Sequence, residues 1–502
     1  MLFQKTISPL QFKQWLRRDE ENSLLFSFSI FAIAVSFIWL KFIYPFPNFM
    51  PPDSVNYIEA AYRKDFINFW PTGYSIFLRM VHAITSSHLV LVSLQYILLT
   101  VSLLYFLFTI RYLLSPGIWL FRIILILSLC NPLLPHIANF VSSDCLFATL
   151  SLLWITQLFW IMYKPNLTLL LLHALVLACL FTVRSASIYY PIFSVGIIVF
   201  TNMPKRTRLA GIASVGLLIL VVIGYTQYEY KRKTGIVQYS AFGGWQLAAN
   251  ALYSYSHARP DDPAYVRGRF KKLHTAVNQH LDSLSKLKIR PDEEIGIYYL
   301  WSFQSPLRTY MRQVTKDTTK RYFYRWARMG PLYGAYGWFL IARHPGLYVK
   351  HFVWPNLKRY FLPPPYFMGY YNMGIQYVNP EIKRWFQWES NRLPTENEDR
   401  KIEWMHMFSV LFAVINLLFF ILGLICIGGP GFKLFSAISR KLLLISFAIV
   451  LVNGMFGACT APIELRYELF PFIIMVPLVA IYISYFISTV QLLKWQTRLI
   501  SS

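Results

Sequence analysis

Two aspartates, two arginines, a glutamate and a histidine stand at the ends of otherwise apolar stretches of this chain: Asp53, Asp144, Arg184, Arg466, Glu464 and His136. An ionisable group beside a long apolar run is costly unless it is paired or faces water, so these positions are candidates for function. Their types define the chemistry they could do. A positioned carboxylate takes a proton from a reacting hydroxyl, and arginine is the usual partner of phosphate. Asp53 opens Asp53-Ser-Val-Asn-Tyr57-Ile-Glu-Ala-Ala61, where Asp53, Tyr57 and Ala61 recur at helical spacing. Pro71-Thr-Gly73-Tyr74 then opens a second amphipathic segment that runs to His82. Arg184 lies in Thr182-Val-Arg184-Ser-Ala-Ser, ahead of Pro191, and Arg466 in Pro462-Ile-Glu464-Leu-Arg466-Tyr467. Plainer readings stand beside these. Asp53 could simply cap a helix, and Arg184, Arg466, His136 and Glu464 could snorkel or form local salt bridges.

The elements that must position these residues are membrane helices. Hydrophobic residues make up 56% of the 502-residue chain and charged residues 14%, against about 25% charged in a soluble domain. The apolar residues come in runs of bilayer length. These predict an all-α polytopic membrane protein with about ten transmembrane helices, near 23–44, 87–110, 117–134, 145–163, 167–183, 187–202, 208–226, 404–428, 441–459 and 467–489. No small-residue cleavage site follows the first run, so it reads as a retained helix. Lys and Arg in the short loops (Lys13, Arg17, Lys205, Arg206, Lys433, Arg440) fall on one side, which predicts cytosolic N- and C-termini. Compact loops fit a bacterial inner membrane. Three modules result: 1–226, carrying a first external loop at 46–86 with two interfacial helices; a mainly helical external domain, 227–403; and 404–502. All five cysteines fall in or beside apolar runs, where they act as small hydrophobes.

The formal charge of +25 is concentrated partly in the external domain. It suits anionic lipid head groups, or a phosphorylated lipid or acidic acceptor; nucleic acid is a poor partner for a surface outside the cell membrane. Gly-rich phosphate loops, metalloprotease helices and nucleophile elbows are absent. In the external domain Gly243-Gly244 reads as a tight turn or a close approach to a ligand. Trp245 reads as an interfacial anchor or a sugar-stacking ring. The Pro-broken stretch through Pro363-Pro-Pro365 suggests a loop over a cleft.

The Asp53, Tyr57, Ala61 pattern, followed by Pro71-Thr-Gly73-Tyr74 directly after a first membrane helix, resembles the first external loop of the GT-C superfamily of membrane glycosyltransferases. Protein O-mannosyltransferases and aminoarabinose transferases belong to it. His136 to Asp144 resembles its second external loop, Arg184 ahead of Pro191 its inter-helix arginine, and Arg466-Tyr467 a recurrent Arg-Tyr pair. The resemblance covers about 24–226 and 404–489. It implies a glycosyltransferase that moves a sugar from a polyprenyl-phosphate-linked donor to a lipid, glycan or protein acceptor on the non-cytosolic face. Asp53 would be the general base, and Arg184 and Arg466 would stabilise the phosphate leaving group. Tyr57, Tyr74, His136, Asp144, Trp245, Glu464 and Tyr467 would contact substrate. Asp53 and Asp144 would be the ligands if a divalent metal takes part; no other cofactor is implied.

Two other classes compete, a transporter and a membrane scaffold without catalysis, and so does a different enzyme; the external acidic and basic cluster counts against the scaffold. A lipid or solute transporter would show internal repeats and broken helices at the bilayer midplane, and no convincing repeat is found. An O-antigen-ligase-like enzyme would rely on Arg and His in its large external loop rather than on an Asp after the first helix.

Overall fold

The structure, a computed structural model, describes residues 11–501 apart from 262–265, 267, 316–318, 320 and 394–401. The described chain is helical and contains no strand. It opens with α1 (Phe12–Arg18) and the long α2 (Glu20–Ile43), which begins where the Asp19 side chain accepts from the Asn22 N–H. The next loop carries two ten-residue helices, α3 (Asp53–Tyr62) and α4 (Gly73–His82). Then come α5 (His88–Leu114), α6 (Ile118–Leu129) and α7 (Leu133–Ala138), the last two parted at Pro132, and α8 (Ser143–Tyr163). After these α9 (Leu167–Val183), α10 (Tyr190–Phe200) and α11 (Lys205–Thr234) follow. The inserted domain holds α12 (Ala241–Tyr255), α13 (Gly268–Ser285), α14 (Tyr298–Trp301), α15 (Pro306–Val314) and α16 (Tyr322–Arg328). It continues with α17 (Gly330–Arg343), α18 (Pro345–Tyr348), α19 (Trp354–Phe361) and α20 (Pro380–Phe386). Finally, α21 (Trp404–Gly428), α22 (Ala437–Thr460) and α23 (Leu469–Ser501) return to the bundle.

Among the described residues eight helical runs are long and apolar enough to cross a membrane: α2, α5, α6 with α7, α8, α11, α21, α22 and the run from Leu465 into α23. Two of the ten expected spans, α9 and α10, are helices of shorter length, 17 and 11 residues. The extended Arg184 and a 3-10 turn separate them. The chain is thus a multi-pass helical membrane protein. Its outer helices look the part: Leu209, Leu217 and Leu220 on α11 and Phe42 on α2 are exposed, a surface that lipid rather than water would cover. The expected module boundary at 226 falls inside α11. That helix runs on through Tyr-Glu-Tyr-Lys-Arg-Lys to Gly235, whose φ of 77° ends it, and its basic last turn suits the negative end of the helix dipole.

Two cores carry most of the buried surface. In the bundle, α8 packs on α5, α9 and α23, with Trp154 fully buried and its indole N–H donating to Ser194 Oγ at 2.9 Å. In the inserted domain α12 crosses α17 almost backbone to backbone. A Cβ at Gly244 would collide with the Gly330 carbonyl, and one at Gly337 with Leu247 and Ala248 of α12. Gly243-Gly244 is therefore neither a turn nor a ligand approach; it lies within a helix, where the missing side chain of Gly244 allows close packing. The domain is also fastened to the bundle. Asn356 Nδ2 donates to the carbonyls of Gly457, Ala458 and Ala461 at 3.2, 3.1 and 2.6 Å. Asn250 donates to Thr460 and Tyr348 to Cys459. Carbonyls in the last turn of α22 and at Ala461 just beyond it are thus bonded by another module.

Candidate active site

α3 starts at Asp53 because Pro51 and Pro52 precede it; a proline suits a helix start, where no N–H is needed. Two contacts then tie this start to the second loop. The Asn48 N–H donates to the Asn139 carbonyl (2.8 Å), and the Asn48 carbonyl accepts from the Val141 N–H (3.0 Å). Ser54 Oγ accepts from the Met50 N–H and donates to the Val141 carbonyl, both at 2.8 Å. Tyr57 adds a third link, its hydroxyl donating to Ser143 Oγ at 3.0 Å. These bonds set the start of α3 beside the start of α8, where Asp144 lies. Both aspartates sit in the first turn of a helix, where the dipole favours negative charge.

The arginines complete the cluster. Arg466 Nη1 donates to Asp53 Oδ2 at 2.9 Å and lies 3.8 Å from Asp144 Oδ2. Its Nε bonds Glu464 Oε2 at 2.8 Å, its Nη2 the Tyr467 hydroxyl at 2.6 Å, and Met50 Sδ lies 2.7 Å from Nη1. Arg184 Nη1 donates to Asp144 Oδ1 at 2.5 Å, and Ser142 Oγ donates to Asp144 Oδ2 at 2.8 Å. Tyr467 lies under both guanidiniums, 4.7 Å from Arg184 and 4.6 Å from Arg466 at the ring centroid. Arg184 comes from the end of α9, which α4 buttresses. Gly73 there lies so close to Thr182 that a Cβ would run into its backbone and Oγ1.

Asp53, Asp144, Arg184, Glu464, Arg466 and Tyr467 therefore form one cluster from four separate stretches of chain. Asp53 does not cap α3; its side chain goes to Arg466 instead. The side chains of Arg466, Asp144 and Glu464 are nearly buried, whereas Asp53 and Arg184 keep 15% and 20% exposure. Those two are the charged members a substrate can reach, beside the half-buried Tyr467. Burial raises the Asp53 carboxyl above its ordinary pKa; the Arg466 guanidinium opposes this and the Asp144 carboxylate adds to it. Burial likewise raises the Tyr57 phenol, with Asp53 contributing.

Four expected site residues do other work. Tyr57 braces the cluster through Ser143 and packs edge-on against Tyr74 at 5.0 Å. Tyr74 is fully buried; it donates to Gln95 Oε1, and Gln95 in turn donates to the Ala138 and Phe140 carbonyls of the second loop. His136 is buried between Tyr44 and Trp404, its Nε2 3.4 Å from the Met368 carbonyl, and these contacts lie outside the ionic cluster. Trp245 offers no face to a sugar. It is fully buried, stacked on Trp326 at 4.8 Å with Tyr333 edge-on at 4.5 Å.

A metal between Asp53 and Asp144 does not fit this arrangement, since Arg466 Nη1 lies against both carboxylates. No group of three His, Cys, Asp or Glu suited to a metal is found among the described residues. The reading of single residues overlooked Met50, Ser142, Ser143 and Phe367, whose ring lies 5.5 Å from the Arg466 guanidinium. Ser142 and Ser143 stand beside Asp144 in sequence and could have been found; Met50 and Phe367 carry no local signal. The Pro363-Pro-Pro365 segment does cross the cluster, with Pro364 accepting from the Leu465 N–H at 3.0 Å. No protein-family model, curated protein or solved structure matches this chain.

Proposed function

We propose that this protein is a GT-C type glycosyltransferase that moves a sugar from a polyprenyl-phosphate-linked donor to a hydroxyl of a lipid, glycan or protein acceptor, at the non-cytosolic face of a bacterial inner membrane. The observation that carries the reading is the meeting of Asp53 with Arg466 and of Asp144 with Arg184 at one end of the bundle. A base and two oxyanion partners are what this transfer requires. The acceptor oxygen forms its bond to the anomeric carbon as the bond from that carbon to the phosphate oxygen breaks. The acceptor proton passes to Asp53, and the lipid phosphate leaves with both electrons of the broken bond, its charge met by arginine. Asp144 holds Arg184, and Glu464 holds Arg466.

The ionic groups stand at helix ends: Asp144 in the first turn of α8, Arg184 just after α9 and Arg466 just before α23. That position suits an enzyme taking its substrate from one face better than a transporter with a midplane site. The test is lipid mass spectrometry of cells lacking the chain. A polyprenyl-phosphate-linked sugar should accumulate relative to cells carrying it, and fall again when the parent chain is restored. An unchanged lipid profile in all three strains removes the reading.

A further inference from the structure

Within the cluster, three carboxylates (Asp53, Asp144, Glu464) face two guanidiniums (Arg184, Arg466), an excess of one formal negative charge before any substrate arrives. A lipid phosphate adds more negative charge to a poorly solvated place, where unbalanced charge is expensive. A further cation has to come within reach. The structure holds one on α19, just ahead of the segment that crosses the cluster. Arg359, in the last turn of α19, stands over the Tyr366 ring at 5.7 Å. The next residue, Phe367, stacks on Arg466, and Pro364 is hydrogen-bonded to Leu465. The backbone beneath Arg359 is fixed: the neighbouring Tyr360 is buried, its hydroxyl donates to Val450 and its carbonyl accepts from Asn416.

The Arg359 side chain itself is weakly held. Its ion pair with Glu294 spans 3.6 Å, and the glutamate side chain is 85% exposed, so the pair is worth little. Its Nη1 is buried with no hydrogen-bond partner. A guanidinium with an unspent donor and a loose partner, set over a ring whose next residue lies on Arg466, is poised to change partners.

We propose that Arg359 is the third phosphate-binding cation of this site, leaving Glu294 and crossing Tyr366 to meet a lipid phosphate held by Arg184 and Arg466. The proposal rests on the glycosyltransferase reading above and assigns to the inserted domain a direct part in gripping the donor. It also explains why that domain is pinned to the end of α22: Arg359 has to start from a fixed distance.

The test measures binding of farnesyl phosphate, with farnesol as the uncharged control, to the purified full-length protein in detergent by tryptophan fluorescence. Arg359→Gln is shorter but keeps a polar amide on the same aliphatic stem and removes the charge; Arg359→Lys keeps the charge without the fork. The glutamine variant should bind farnesyl phosphate about ten- to a hundredfold more weakly, as for one lost charge-assisted hydrogen bond. The lysine variant should fall between it and the parent, and farnesol binding should be the same for all three. Parent-like farnesyl phosphate binding by Arg359→Gln, with Arg466→Gln impaired, overturns the role of Arg359 and leaves the phosphate reading intact. Parent-like binding by both removes the phosphate reading as well. An equal loss of farnesol and farnesyl phosphate binding in Arg359→Gln marks a structural role and also overturns the proposal.

Discussion

Replacing Asp53 with asparagine keeps the side chain's size and one carbonyl oxygen but removes its charge and its basicity. The structural consequences can be bounded. Asp53 accepts one charge-assisted hydrogen bond, from Arg466 Nη1 at 2.9 Å. Asparagine still accepts there, so the loss is the difference between a charged and a neutral acceptor, on the order of 1 kcal/mol. The lost charge in the first turn of α3 costs a further ~0.3–1 kcal/mol. Relief of the crowding among Asp53, Asp144 and Glu464 works the other way. The folded protein should therefore lose no more than about 2 kcal/mol, a melting shift of a few degrees. A general base that can no longer take a proton costs about 10²–10⁴ in rate, roughly 2.7–5.4 kcal/mol of barrier. The two outcomes are well separated. Scanning fluorimetry in detergent should show a near-parental melt, and farnesyl phosphate should still bind. Cells carrying only Asp53→Asn should nevertheless accumulate lipid-linked sugar as the deletion does. A well-folded Asp53→Asn protein with near-normal transfer would refute the reasoning, and Asp144 would become the next candidate base.

Because burial raises the Asp53 carboxyl, the acid limb of transfer should lie above the ordinary aspartate value of about 3.9, and activity should disappear as pH falls through it. The stability term has the opposite sign: a raised folded pKa stabilises the protonated protein, and that contribution is lost as pH rises through the folded value. The melting difference between parent and Asp53→Asn, measured across pH, should therefore move in favour of the parent toward low pH; no trend would contradict the raised carboxyl. Gly73→Ala should destabilise by about 1–3 kcal/mol and impair transfer, because its methyl group would collide with Thr182, two residues before Arg184. Gly216→Ala on α11, where nothing lies within 4 Å of the new Cβ, should be neutral or slightly stabilising; equal melts for the two variants would show that the α4–α9 contact is not tight. Orientation is tested by impermeant thiol labelling of intact cells in a chain freed of its five native cysteines. A cysteine at the exposed Tyr62 should react and one at the exposed Lys13 should not; the reverse pattern would invert the expected topology.

Helix positions were legible in the sequence because a membrane helix is a local object. Its backbone bonds close within the segment and its composition must match lipid along its whole length, so runs of apolar residues marked the eight long apolar helical runs among the described residues and also α9 and α10. They did not mark the 18-residue, largely polar α13. The start of α3 was legible only approximately: in sequence Asp53 looks like a cap, and the structure makes it the first helical residue, with Pro52 ahead of it. The position of an ionisable residue at the end of an apolar run was likewise enough to single out Asp53, Asp144, Arg184, Glu464 and Arg466. What those residues touch could be decided only by the tertiary structure. Asp53 and Arg466 are 413 positions apart and meet because the first loop and the start of the last helix pack at the same end of the bundle. Trp245 and Tyr74 looked like ligands in sequence because an aromatic ring offers the same surface to a sugar as to a neighbouring side chain. Packing filled those surfaces with Trp326 and Tyr333 in one case and with Tyr57 in the other. Gly244 shows the same limit, since nothing nearby in sequence says that Gly330 will lie against it. Periodicity fixes which face of a helix a residue occupies; which element covers that face depends on the packing of segments hundreds of residues away.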